Sequence, residues 1–202
     1  EDASLTHGPL EALLTVDEEA GMGGARGLPP GVLAGRMMLN LDTEAWGEFY
    51  LGCAGGLDVN VERAGRAEAV PPGHDGCQIV LRGLRGGHSG VNIHEERGNA
   101  IKLLVRVLHD LNRSMPFRLA TLVGGTARNA LPREARANLA VPAGSMPAFQ
   151  RLLDEAQAML LDELGDADPG LMLELAPCSL DAVLALDEQR IWLASLHAAP
   201  HG

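Results

Sequence analysis

Aromatic residues are scarce: two Trp, one Tyr and three Phe make up 3% of 202 residues. A core built from this chain must therefore rest on Leu, Val, Ala and Ile. The apolar fraction of 46% is large enough for one sizeable domain or two small ones. No apolar run approaches the roughly 18 residues of a membrane span, and the N-terminus lacks the basic-then-apolar pattern of a signal peptide. Basic residues are also in deficit. Sixteen Lys and Arg face 27 Asp and Glu, a net charge of −11, which argues against non-specific binding to nucleic acid or anionic membranes. Cys53, Cys77 and Cys178 show no CxxC spacing. An odd, unpatterned set suits a reducing cytoplasm and thiols buried as small apolar groups, and argues against a metal or redox centre. There is no internal repeat and no GxxxxGK[ST] phosphate loop. "HEERG", which begins at His94, fails HExxH because position 98 is Gly. The chain begins at "EDASLTHG" without a Met, which reads as a piece of a longer protein.

What is present falls into two regions. In residues 1–56 two short apolar runs, "EALLTV" (11–16) and "RMMLNL" (36–41), read as buried strands, each ending in acid. The Gly- and Pro-rich segment between them leaves room for a crossover, which suggests a parallel sheet. "GCAGG" (52–56) reads as a hinge or domain boundary. Residues 57–202 carry a regular alternation: strand 78–84, helix 97–112, strand 117–123, strand 134–141, helix 146–164 and strand 171–176. Ile101, Leu104, Val105, Leu108 and Leu111 share one face of the first helix. Phe149, Leu152, Leu153, Ala156, Met159 and Leu160 share one face of the second, with Ser145 placed to cap it and Gly165 to end it. The order β-α-β-β-α-β is the ferredoxin-like arrangement. The tail 181–202 reads as helix followed by a Pro/Gly stop.

Chemistry concentrates in acids at strand ends. "LLTVDEEAGM" places Asp17, Glu18 and Glu19 after the first run, and Asp42 follows the second. In open parallel sheets ligands gather beyond the carboxyl ends of strands, and carboxylates held close either protonate or gain a cation. Zinc and harder divalent ions both accept carboxylate oxygen. Three neighbouring acids are nevertheless more often a solvated turn than a site, so by spacing alone both readings stay open. "GGHSG" (86–90) is a glycine-rich loop with one His, usually a surface feature. "GGTARNALP" (124–132) reads as a turn whose Thr126 and Asn129 ordinarily satisfy backbone groups.

Taken together, "LLTVDEEAGMGGARGL", "MLNLDTEAWGEFYLGCAGG", "GGHSGVNIHEERGNAIKLLVR" and "GGTARNALP" resemble the aminoacyl-histidine (cytosol non-specific) dipeptidases, which are di-zinc, carboxypeptidase-like metallopeptidases. The resemblance runs through most of residues 8–141 and fades over 142–202. It implies an α/β protein: part of a parallel-sheet catalytic domain over 1–56, followed by a ferredoxin-like lid and dimerisation domain over 57–202. It implies Glu18 as general base, Glu19 and Asp42 as ligands of the two zincs, His88 as the lid histidine that stabilises the oxyanion, and Asn129 as a substrate contact. Two Zn2+ per complete site are implied, with Mn2+ or Co2+ as substitutes. The implied partners are a dipeptide substrate, notably Xaa-His, and a second copy through the lid; the charge balance adds the expectation of no nucleic acid and no membrane, and the missing signal and unpaired cysteines that of a cytoplasmic location. The family's HxD motif, bridging Asp and last zinc-binding His are absent from these 202 residues, none of whose seven histidines lies in an HxD. The chain is therefore expected to be an internal fragment, inactive alone. Two rivals remain: a related metallo-amidohydrolase acting on N-acyl amino acids, and a non-catalytic ferredoxin-like interaction module.

Overall fold

In the computed structural model, which describes residues 4–18, 21–42, 45–53 and 55–201, the chain divides into two units, Glu1–Val59 and Asn60–Gly202. Among its described residues the first unit contains one short helix, α1 (Gly23–Arg26), and no strand. The two runs expected as strands, 11–16 and 36–41, are irregular instead. The physical reason lies in their surroundings. A buried parallel strand needs a neighbour to complete its hydrogen bonds and layers over both faces, and the described part of this unit supplies neither. Its apolar side chains stay in solvent: Leu14 is 94% and Met37 93% exposed. Order there is local. Asp17 takes a left-handed backbone (φ 61), and its carbonyl accepts the Met22 amide at 2.6 Å. The Glu11 carboxylate accepts the amides of Ala34 and Gly35 at 3.0 and 2.7 Å.

The second unit is built differently. Its elements are β1 (Ala67–Glu68), β2 (His74–Arg82), β3 (Gly87–His88), a 3-10 turn (Ile93–Glu95), α2 (Ala100–Ser114), β4 (Arg118–Gly124), β5 (Ala130–Leu131), β6 (Ala135–Pro142), α3 (Met146–Leu164), β7 (Met172–Pro177), β8 (Val183–Leu184) and α4 (Leu186–Ala198). The sheet β4-β6-β2-β7 is antiparallel throughout. With α2 and α3 as crossovers this is the ferredoxin-like β-α-β-β-α-β order. The helix starts are informative. α2 begins at Ala100, later than its periodicity suggests, because Asn99 caps it: the side-chain oxygen accepts the Ile101 and Lys102 amides at 3.1 and 3.2 Å. α3 begins after Ser145, but no side-chain cap forms. Ser145 already has a helical backbone (φ −85, ψ −8), and its hydroxyl is buried without a partner.

One face of the sheet carries the core. Cys77, Ile79 and Leu81 of β2 and Ala135, Ala137, Leu139 and Val141 of β6 meet Leu104, Leu108 and Leu111 of α2 and Phe149, Leu153 and Leu160 of α3. Each fully buried Leu contributes about 1.5–3 kcal/mol relative to exposure, which compensates for the scarcity of aromatics. The main aromatic pair in this layer is Phe117 edge-on to Phe149, centroids 6.4 Å apart.

The sheet's two outer strands are both blunted by glutamine. Gln189 of α4, 1% exposed, accepts the Leu119 amide at 2.8 Å and donates to the Phe117 carbonyl at 3.1 Å. It mimics a further strand against β4, whose register also shifts between Leu119 and Thr121. Gln157 of α3 accepts the Leu173 amide of β7 at 2.6 Å. α4 is fixed at both ends. Glu188 pairs with Arg63 at 2.9 Å and Asp187 pairs with Arg66. At the other end Lys102 donates to the carbonyls of His197 and Ala199. No helix among the described residues is long and apolar enough to cross a membrane.

Candidate functional site

The loop between β2 and α2 is organised around His88. Two backbone amides, of Gly90 and Val91, donate to His88 Nδ1 at 3.0 and 3.1 Å. Nδ1 therefore carries the lone pair, and the ring proton sits on Nε2, which is left as the ring's hydrogen-bond donor. The main chain of His88 is held by Asn92: the His88 amide donates to Asn92 Oδ1 at 2.8 Å, and its carbonyl accepts the Asn92 amide at 2.9 Å. Asn92 in turn donates to Glu95 at 2.6 Å. That bond, with the Arg97 guanidinium behind it, holds the Glu95 carboxyl below its ordinary range. Arg97 also donates to the Gly86 carbonyl at 2.6 Å. Gly87 is required here: a Cβ on it would lie 2.7 Å from Asn92 Oδ1 and 2.8 Å from an Arg97 nitrogen, at φ +148.

The two glycine-rich motifs meet. β3 pairs with β5, Gly87 opposite Leu131 and His88 opposite Ala130. The Ser89 amide donates to the Asn129 carbonyl at 2.8 Å. The chain segments bearing His88 and Asn129, some forty residues apart in sequence, are thus neighbours, and both residues are exposed. Beside them lies an open hollow of about 590 Å³, whose lining includes Ser89, Asn99, Thr126, Arg128 and His201. Asn92 and Arg97, which hold the loop, were not marked by the sequence. An Asn four residues beyond a loop His was the available signal, since Asn side chains commonly bond nearby backbone.

The acidic residues fare differently. Glu18 lies in an exposed turn, its carbonyl accepting the Gly21 amide at 3.4 Å. Asp42 is exposed, its amide donating to Asn40 Oδ1 at 3.0 Å. Glu19 lies outside the described residues. Among the described residues no three His, Cys, Asp or Glu side chains converge as a metal-binding group. The cysteines divide by unit. Cys53 is exposed, against the expectation that all three are buried, because the part of the chain around it offers no core. Cys77 is buried, and desolvation pushes its thiol up to about 12. Cys178 is intermediate, its pKa also raised by burial.

The chain as a whole is similar to known proteins. Residues 79–168 match the family model of a peptidase dimerisation domain. All 202 residues align at 43% identity with the cytosol non-specific dipeptidase of Escherichia coli (strain K12), of which the chain spans 42%. The aminoacylhistidine dipeptidase of Vibrio alginolyticus matches with a TM-score of 0.76 at 39% identity, over 93% of this chain and 39% of that one.

Proposed function

Because residues 79–168 belong to the peptidase dimerisation domain family and the whole chain is a relative of the cytosol non-specific dipeptidases, we propose that it is the lid-bearing segment of a metallodipeptidase hydrolysing dipeptides, notably Xaa-His. In this reading residues 57–202 form the lid, which pairs with a second copy, and residues 1–56 close the first catalytic segment. The protein works in the cytoplasm, as the E. coli relative's name states for that enzyme. The observation that carries the reading is the ladder joining GGHSG to the Asn129 motif, with His88 presented as a neutral Nε2–H donor.

Each residue then has a role. His88 donates through Nε2 to the oxyanion that develops on the scissile carbonyl, and Asn129 contacts the substrate. Removing one such oxyanion donor commonly costs about 10²–10³ in rate. Glu18 takes a proton from the attacking water and returns it to the leaving amine. Glu19 and Asp42 would hold metal, and two zinc ions, or Mn2+ or Co2+, would supply a water of lowered pKa. The rest of that shell would come from the part of the enzyme that the relatives have beyond this chain's 42%.

In the complete enzyme, Glu18→Gln is expected to abolish most of kcat with zinc retained. An unchanged rate favours the non-catalytic module instead, a reading supported by the exposure of Glu18 and Asp42. Faster hydrolysis of N-acyl amino acids than of Xaa-His dipeptides would move the assignment to the amidohydrolases. The 202 residues alone are expected not to turn over an Xaa-His dipeptide, and measurable turnover by them would refute the fragment reading.

A further inference from the structure

A carboxylate far from the His88 motif in sequence closes the loop that carries it. Asp168, in the turn after α3, is 0% exposed. Its Oδ1 accepts the Arg85 amide at 2.6 Å and its Oδ2 accepts the Gly98 amide at 2.5 Å. These two amides lie near the two ends of a single connection, residues 83–99, which leaves β2, presents His88 and enters α2. We propose that Asp168 is the positioning residue of the His88 loop, a clamp on its neck.

The chemistry suits that task. An unbonded buried carboxylate is strongly unfavourable, and bonds from backbone N–H to a carboxylate are among the stronger protein hydrogen bonds. Each oxygen is used on a different end of the loop, so the group sets the separation of those ends. An amide in its place has one acceptor oxygen, and its NH₂ would face a backbone N–H. The local backbone is shaped to admit the carboxylate. A Cβ on Gly98 would lie 3.2 Å from Asp168 Oδ2 and 2.9 Å from Leu103 Cδ1, so a side chain there would push on both the carboxylate and Leu103. On the other side a Cβ on Gly83 would lie 1.9 Å from the Gly170 carbonyl, which brings the turn of Asp168 directly against the end of β2. Arg85 stands three residues before His88, and Gly98 directly precedes the Asn99 cap of α2. Opening the neck would loosen the β3–β5 ladder and, with it, the two amides that orient the His88 ring.

The test is amide hydrogen exchange and imidazole ¹⁵N NMR on the 202-residue chain carrying Asp168→Asn. Protection of the Ser89, Gly90, Val91 and Asn92 amides is expected to fall at least about tenfold while Ile79, Leu81 and Leu139 keep theirs. His88 is expected to change from one Nε2–H tautomer to a mixture. A folded variant with unchanged loop amides and unchanged His88 signals overturns the proposal. So does an equal loss of protection in loop and sheet, which would make Asp168 a residue of global stability only. Gly98→Ala, which presses on the carboxylate without removing it, must give the same loop-selective loss should Asp168→Asn not fold, and an unaltered loop there overturns the clamp. A kinetic arm rests on the reading of His88 given above. In the complete dipeptidase Asp168→Asn is expected to lower kcat with KM changed less than about twofold. His88→Ala separates the two ideas: unchanged kcat there sinks the oxyanion role, and the NMR result still decides the clamp.

Discussion

The two units of this chain use similar apolar residues to opposite ends. In Glu1–Val59 the side chains of Trp46, Phe49, Leu51 and Met38 face solvent; in Asn60–Gly202 Ile79, Leu81, Leu139 and Phe149 are wholly buried. Composition is therefore not what separates them. The second unit supplies what its sheet needs: each sheet strand has a partner, and two helices cover one face. The first unit, in its described residues, contains no strand and no layer to cover its apolar runs. An apolar run becomes a strand only where a neighbour exists to receive its hydrogen bonds.

The largest expected effect that tests this contrast is in the core. Phe149→Ala should cost about 3–5 kcal/mol in urea unfolding, through lost burial and the cavity left behind. A cost below about 1 kcal/mol would show that the layer around Phe149 is loosely packed. Next comes the guarded edge. Gln189→Leu strands the Leu119 amide and the Phe117 carbonyl, and should cost about 1–3 kcal/mol per buried group left unpaired; concentration-dependent association would accompany it if the edge is freed for pairing.

Chemical labelling compares the units directly. Under native conditions a thiol reagent should modify Cys53 first, while Cys77, buried and raised to about 12, reacts only on unfolding. Equal rates measured by mass spectrometry would erase the distinction. A smaller effect concerns acid. The Arg63 hydrogen bond holds the Glu188 carboxyl below its ordinary value of 4.5. A carboxyl lowered by folding adds stability that is present above its unfolded pKa and lost as pH falls through its folded one. Glu188→Gln should therefore flatten the loss of stability below pH 4.5, read by pH-dependent thermal melts; an unchanged acid limb would remove this pair from the account. Smallest of all, Met37→Ser and Leu41→Ser in the first unit should shift unfolding by no more than about 0.5 kcal/mol.

Much of the second unit was legible because its periodicities are strong. Ile101, Leu104, Leu108 and Leu111 announce α2, and the alternation Ala137, Leu139, Val141 announces β6. α3 runs Met146–Leu164, the span its apolar stripe and Gly165 predict. The two-residue strands β1, β3, β5 and β8 were not legible, since such short ladders exist only through distant partners. Nor were Gln189, Asn92 and Asp168. A polar residue in a helix or turn looks the same in sequence whether it faces water or completes a buried bond. The GGHSG loop was visible as a motif, but the tautomer of His88 follows from two amides that only the folded loop aims at Nδ1. Asp17, Glu18 and Asp42 lie in the irregular part of the first unit, where local spacing carries little geometric information.

The anchoring of α4 has a mechanical consequence. Its first turn is tied by charge to Arg63 and Arg66, where the chain comes into the second unit, and its last carbonyls are tied to Lys102 near the root of α2. Both attachments follow the helix's own polarity, acids at the positive end and an ammonium at the negative end. A pull on the incoming chain is therefore shared between α4, which passes it lengthwise toward Lys102, and the covalent path through β1 into β2.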